Sequence, residues 1–173
     1  MKKLGPAGLK WLKIIHILLV TFFFGGIMSS LAINLGIKFA AYRETMETYK
    51  NVVIISDHII RIGAVGTLFI GFVYGIFTNW GFFRHRWVTV KWILFVCQTL
   101  IGIFIVDKLM LANMALLETE GSGALINPVF LHNHSVRQDF VIIQILITVF
   151  IICISVIKPW KKKKLTSKNA GIQ

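Results

Sequence analysis

Four apolar stretches, each long enough to cross a lipid bilayer, constrain this chain more than any other feature. A hydrocarbon core of about 30 Å takes about 20 residues of helix at about 1.5 Å each. Four segments meet that length, at about 11–36, 52–77, 88–111 and 139–158. In lipid no water bonds the peptide groups, so a spanning segment must satisfy them internally, and a helix does so. The expected fold is therefore all-α, an integral membrane four-helix bundle. Composition agrees: 56% of the 173 residues are hydrophobic and only 15% charged, more apolar surface than a soluble domain of this size could cover. The first run, from Leu9 to Ile37, is too long for the core of a signal peptide and no soluble domain follows it, so it is read as a membrane helix.

The net charge of +12 sets the orientation. Lys2, Lys3, Lys10 and Lys13 flank the first span; Arg84, Arg86 and Lys91 lie between the second and third; Lys158 and Lys161 to Lys164 follow the fourth. In the other two connections, 38–51 and 112–138, Glu44, Glu47, Glu118 and Glu120 offset Lys38, Arg43, Lys50 and Arg137. The positive-inside rule then places both termini in the cytoplasm, with Trp11, Trp80, Trp87 and Trp160 at the cytoplasmic edge. Basic residues spread in this way form no nucleic-acid surface. The domain reading is a transmembrane unit over 1–160 and a basic cytoplasmic tail over 161–173 that can touch anionic lipid. The outer connection 112–138 carries Gly121-Ser122-Gly123 and Asn127-Pro128 as breakers and is expected to fold over the mouth of the bundle. Cys97 and Cys153 have no metal or redox spacing and read as packing residues.

Helical phase sorts the faces. His16, Phe23, Ile27, Ser30 and Asn34 share one side of the first helix; Lys91, Phe95, Gln98 and Gly102 share one side of the third; Gln144, Thr148 and Ser155 share one side of the fourth. Polar groups aimed at lipid are costly, so these stripes should converge on the interior. Gly63, Thr67, Gly71 and Gly75 form a small-residue ridge on the second helix, read as a packing surface.

Ionisable side chains within a membrane span point to function. His16 lies about 7 Å inside the cytoplasmic edge and His58 about 9 Å inside the outer edge, so the two cannot ligate one haem from opposite faces. His132 and His134 share the outer level with His58, and neutral imidazole is a good axial ligand for haem iron. The expected outer site therefore pairs His58 with His134, or with His132 as the alternative, as haem ligands. Asp57 and Arg61 stand four residues apart and can pair; alternatively Arg61, Lys108 or Arg137 could meet haem propionates. A copper or zinc site on His132, Asn133 and His134 is a further option for the same imidazoles. His85, between Arg84 and Arg86, reads as a solvated loop residue.

Trp11-Leu12-Lys13-Ile14-Ile15-His16 running on to Phe24-Gly25-Gly26, the Gly71 to Gly75 stretch, and Trp87 followed four residues later by Lys91 give a resemblance across about the first 110 residues. On these motifs the chain resembles the small bacterial membrane proteins of the CopD-like group, which includes the HemJ-type protoporphyrinogen oxidases. The resemblance implies a bacterial cytoplasmic-membrane four-helix protein with haem b as cofactor, and His16 and Lys91 at the motif positions associated with it. In place of the proline- and arginine-containing segment of HemJ-type oxidases stands Ile27-Met28-Ser29-Ser30, which argues against protoporphyrinogen oxidation.

Together these readings give a membrane-embedded b-type haem protein that exchanges electrons with a quinone or an oxygen species, or handles haem; if it turns over substrate, it is an oxidoreductase. The alternative is a metal-ion or small-solute transport component using the outer histidines. The partners admitted are the lipid bilayer, a quinone or other redox partner, and further copies of the chain in a homo-oligomer. The charge distribution makes a direct prediction: reporters placed after Gln173 and near His85 are cytoplasmic, and a tag near Ser122 is external. Labelling a cysteine introduced near His85 from outside intact cells would overturn that topology.

Overall fold

The computed structural model describes residues 4–37, 39, 41–78 and 85–159. Lys2, Lys3, Lys38, Trp80, Arg84 and Trp160 lie outside the described residues, as does the basic tail assigned to 161–173. The regular elements among the described residues are all helical, and four helical rods are long and apolar enough to cross a membrane.

The first rod is α1, Pro6–Gly36. The second is α2, Tyr42–Ile55, continued through a π-helical turn, Ser56–Ile60, into α3, Arg61–Phe77. The third repeats that construction, with α4 over Arg86–Ile101, a π-helical turn over Gly102–Val106 and α5 over Asp107–Glu120. A short 3-10 turn, Gly121–Ile126, leads to α6, Pro128–Ile157. The rods pack in a ring, α1 against α3, α2 against α5, and α6 against both the third rod and α1.

Local chemistry sets the ends. Pro6 and Pro128 sit in first turns, where a missing N–H costs nothing, and the Asn127 side chain accepts from the Val129 N–H at 2.8 Å as an N-cap. α5 stops at Gly121, whose φ of 57° is open to glycine, and α6 stops at Lys158 in the left-handed region.

The described structure corrects the sequence reading of the outer segments. They are not loops. The second rod is 36 residues long, about 54 Å at about 1.5 Å per residue, so roughly 20 Å of it stands beyond a hydrocarbon core of about 30 Å. The third rod overhangs in the same way, and α6 begins at Pro128, not near 139. The physical reason is an apolar stripe on α2 at helical spacing: Thr45, Met46, Tyr49 and Val52 are buried, while Arg43, Glu44, Glu47 and Lys50 are exposed. That stripe packs with Met110, Leu117, Ala124, Leu125 and Phe130 into a second core outside the membrane, and Leu117, Ala124 and Phe130 are fully buried there. A separate core within the membrane joins Phe23, Ile27, Ala64, Phe95, Val106 and Val141.

The small-residue ridge packs as expected along part of its length. A Cβ on Gly63 would collide with the backbone of Phe23, lying 2.8 Å from its Cα, and would sit 2.9 Å from the Leu19 carbonyl oxygen. Neither backbone can give way cheaply. Gly25, by contrast, faces open space. We expect Gly63→Ala to destabilise the detergent-solubilised protein by about 1–3 kcal/mol, the usual cost of overpacking, and Gly25→Ala to leave it unchanged. Equal melting temperatures for the two variants would contradict this account of the α1–α3 contact.

Candidate functional site

The inward stripes expected from helical phase converge in three polar layers. Phe23, Ile27, Ser30 and Asn34 of α1 are buried, as are Phe95 and Gln98 of α4 and Gln144 and Thr148 of α6.

The middle layer links the third and fourth rods. Gln144 Nε2 donates to the Gln98 carbonyl at 2.9 Å, and Thr148 Oγ1 donates to Gln98 Oε1 at 3.1 Å. Gly102 lets the Gln144 amide come close: a Cβ there would sit 3.1 Å from Gln144 Nε2. The π-helical turn begins at this point.

The outer layer is the most developed. Arg137 of α6 is 1% exposed, and its guanidinium donates from Nη1 to Asn34 Oδ1 at 2.7 Å and from Nη2 to Ser30 Oγ at 3.4 Å. Asn34 is itself held by a bond from Nδ2 to the Ser30 carbonyl at 2.7 Å. One turn further out, Asn113 Nδ2 donates both to Tyr49 Oη at 3.0 Å and to the Phe130 carbonyl at 2.9 Å. Tyr49 Oη lies 2.9 Å from His134 Nδ1. A phenol that accepts from Asn113 keeps its own proton to donate, so this pairing is complete when the His134 ring carries its proton on Nε2. The Arg137 guanidinium also lies over the Tyr49 ring at 5.8 Å, which ties the two halves of the layer together.

At the membrane edge beside this layer, Arg61 pairs with Asp57 at 2.9 Å, as its spacing suggests, and reaches Asp107 at 3.5 Å. Ser56 Oγ donates to the other oxygen of Asp107 at 3.0 Å. The two π-helical turns therefore meet, since Ser56 opens one and Asp107 directly follows the other. Between them lies a cavity of about 60 Å³.

The cytoplasmic layer gathers His16 of α1, Tyr74 of α3, and Trp87 and Lys91 of α4. The His16 and Tyr74 rings meet at right angles with centroids 5.8 Å apart, and Lys91 lies within electrostatic reach of His16. Lys91 Nζ sits 4.7 Å from the Trp87 ring centroid, and Lys158 Nζ approaches the same ring at 6.0 Å. His16 Nδ1 is buried and has no hydrogen-bond partner among the described residues.

The expected outer ligand pair does not form. Tyr49, not His58, faces His134, and nine residues on, about half a turn round the same rod, His58 is exposed with Nδ1 on its own helix at the Ile54 carbonyl, 3.1 Å away. His134 is buried by its bond to Tyr49 and by the Phe39 ring, perpendicular to it at 4.9 Å. His132 is exposed on the first turns of α6, which is helix rather than an adaptable loop. Arg61 is taken up by Asp57 and Asp107, and Lys108 lies over the Phe104 ring at 5.8 Å. His85 is exposed, in agreement with the sequence reading. Sequence reasoning missed Tyr49 and Asn113 because both fall in segments assigned to loops; the signal was the 3.6-residue stripe on either side of Tyr49.

The chain belongs to a family of integral membrane proteins: residues 10–159 match the family described as "Predicted integral membrane protein (DUF2269)". Neither a search of curated proteins nor one of solved structures finds a match to it.

The outer network makes a specific prediction. Tyr49→Phe keeps the ring and removes the hydroxyl, leaving the His134 ring nitrogen and one Asn113 donor without a partner; it should cost about 1–3 kcal/mol. Arg43→Ala, which breaks only an exposed 3.4 Å pair with Glu47, should fall within about 0.5 kcal/mol of the parent. Thermal unfolding in detergent that ranks the two variants the other way would refute a structural role for the Tyr49 hydroxyl.

Proposed function

We propose that this protein is a membrane-embedded haem b protein that exchanges electrons with a lipophilic partner, with His16 as the axial ligand. The observation that carries the reading is the His16 ring: it faces inward among apolar helices, and its buried Nδ1 has no partner among the described residues. A buried ring nitrogen left so is costly, and iron coordination is one way to satisfy it. The resemblance of the His16 and Lys91 motifs to the CopD-like group supports the same group at the same place.

The donor set fits one histidine ligand, not two. His58, His132 and His134 belong to the outer half of the molecule, and His85, stacked on Trp87 at the cytoplasmic end, is exposed, leaving His16 as the inward-facing imidazole at that end among the described residues. Lys91, on the Trp87 ring, supplies a cation suited to a propionate, and Tyr74 flanks the imidazole. When bound, haem would supply one-electron chemistry; the chain's own part is to ligate, to exclude water and to neutralise the propionate charge.

A transport role through the outer histidines has less support. His58 and His132 are exposed, and no group of three or more His, Cys, Asp or Glu suited to a metal occurs among the described residues.

Purified full-length protein should show a Soret band with the high-spin character of a single imidazole ligand. His16→Ala should remove nearly all of it, whereas His58→Ala and His85→Ala retain it. A low-spin spectrum that survives His16→Ala, or protein that takes up no haem on reconstitution, would overturn the reading.

A further inference from the structure

The cavity between the two π-helical turns has a character of its own. Its walls are apolar, with Phe23, Ile27, Ala64 and Val141 among them, and its outer end is polar, where Ser30, Ser56, Asp107 and Arg137 line it. Two wall residues, Val65 of α3 and Ile103 of the second π-helical turn, are 58% and 47% exposed, and they lie on rods that face lipid. The cavity thus opens sideways, between the second and third rods, into the bilayer. π-helical turns bulge a helix at the cost of regular hydrogen bonding and are frequent at functional sites; here both border the same space.

Arg137 supplies the second observation. Its Nε is buried and has no hydrogen-bond partner among the described residues, although Nη1 and Nη2 are both bonded. An almost wholly buried guanidinium that lines a cavity and keeps one unused donor is suited to an oxygen acceptor held there. An anion is the less suitable occupant. The charges around the cavity balance, Arg61 and Arg137 against Asp57 and Asp107, and Asp107 itself lines the space, so a carboxylate or phosphate entering it would meet a carboxylate at the wall. A neutral carbonyl oxygen accepts the same hydrogen bond without that repulsion. A volume of about 60 Å³ is well under the roughly 150 Å³ of a cavity that takes up benzene, so it admits a carbonyl group and the edge of a ring but neither a whole ring nor a folded lipid tail.

We propose that this cavity receives the carbonyl edge of a neutral lipophile of the quinone class, with a ring oxygen accepting from Arg137 and the rest of the ring and its isoprenoid tail lying past Val65 and Ile103 at the lipid-facing mouth. The site rests on the haem reading only for the redox role of its ligand; binding stands independently of it.

The test uses full-length protein in nanodiscs and a short-tail azidobenzoquinone as photoaffinity probe, with peptides mapped by mass spectrometry. Labelling is expected on the peptides around Val65 and Ile103, with excess unlabelled short-tail benzoquinone protecting and dodecanoate not. Val65→Trp narrows the mouth from a lipid-facing position that the fold tolerates, and should weaken protection about tenfold. Arg137→Gln should weaken it as well, and if that variant fails to fold, Val65→Trp decides. Unchanged labelling in Val65→Trp, or protection by dodecanoate as strong as by the quinone, would overturn the proposal, the second outcome assigning the cavity to an acidic amphiphile. Protein with the expected labelling but no haem would retain the quinone site while overturning the function proposed above.

Discussion

A guanidinium buried within a helix bundle must find its partners inside the protein, and Arg137, 1% exposed, finds them on a different helix. Its bonds to Asn34 and Ser30 fix the rotation of α1 against α6 at the outer end of the bundle, and its position over the Tyr49 ring fixes α2 against both. Removing either side would leave a buried charge without compensation, which is far more costly than losing one hydrogen bond from a surface. In lipid, apolar contact alone does not distinguish one helix rotation from another, because the tails are as apolar as leucine. Directional polar contacts do. The same holds lower in the bundle, where Gln98, Gln144 and Thr148 fix α4 against α6.

Between these fixed points the backbone departs from regular helix twice. Both departures fall at the outer boundary, and they face one another through the Ser56–Asp107 bond. On either side of its π-helical turn, each of these two rods buries one face, α2 and α5 in the outer core and α3 and α4 in the membrane. The cavity lies between the two bulges.

The outcome is a molecule with chemistry at two levels. Near the cytoplasmic edge an imidazole whose Nδ1 has no hydrogen-bond partner among the described residues stands with a lysine, a tyrosine and a tryptophan; near the outer edge a buried arginine borders a space open to lipid. About 20 residues of helix, close to 30 Å, separate His16 from the level of Arg137. The outer overhang, with its own apolar core, holds the upper end rigid and takes His134 out of ligand chemistry by giving it to Tyr49.

What the sequence determined alone was the membrane, the number of spans and which faces point inward, because apolar length and helical phase are local properties that lipid enforces without regard to the neighbours. His16, Ser30, Asn34, Gln98, Gln144 and Thr148 were legible as interior residues for that reason. The partner of each polar group was not, since it depends on how helices far apart in the chain are rotated against one another. Depth counted from the span ends made His58 and His134 look like a pair; the structure sets His134 against Tyr49, nine residues or about 13 Å along the rod from His58 and half a turn round it. The outer extension was obscured because charged residues on one face of α2 resemble a loop until the opposite face meets Leu117 and Phe130. Only the tertiary structure decided that Arg137 and Asn34, 103 residues apart, share a bond, because that bond depends on how α1 and α6 are rotated against one another.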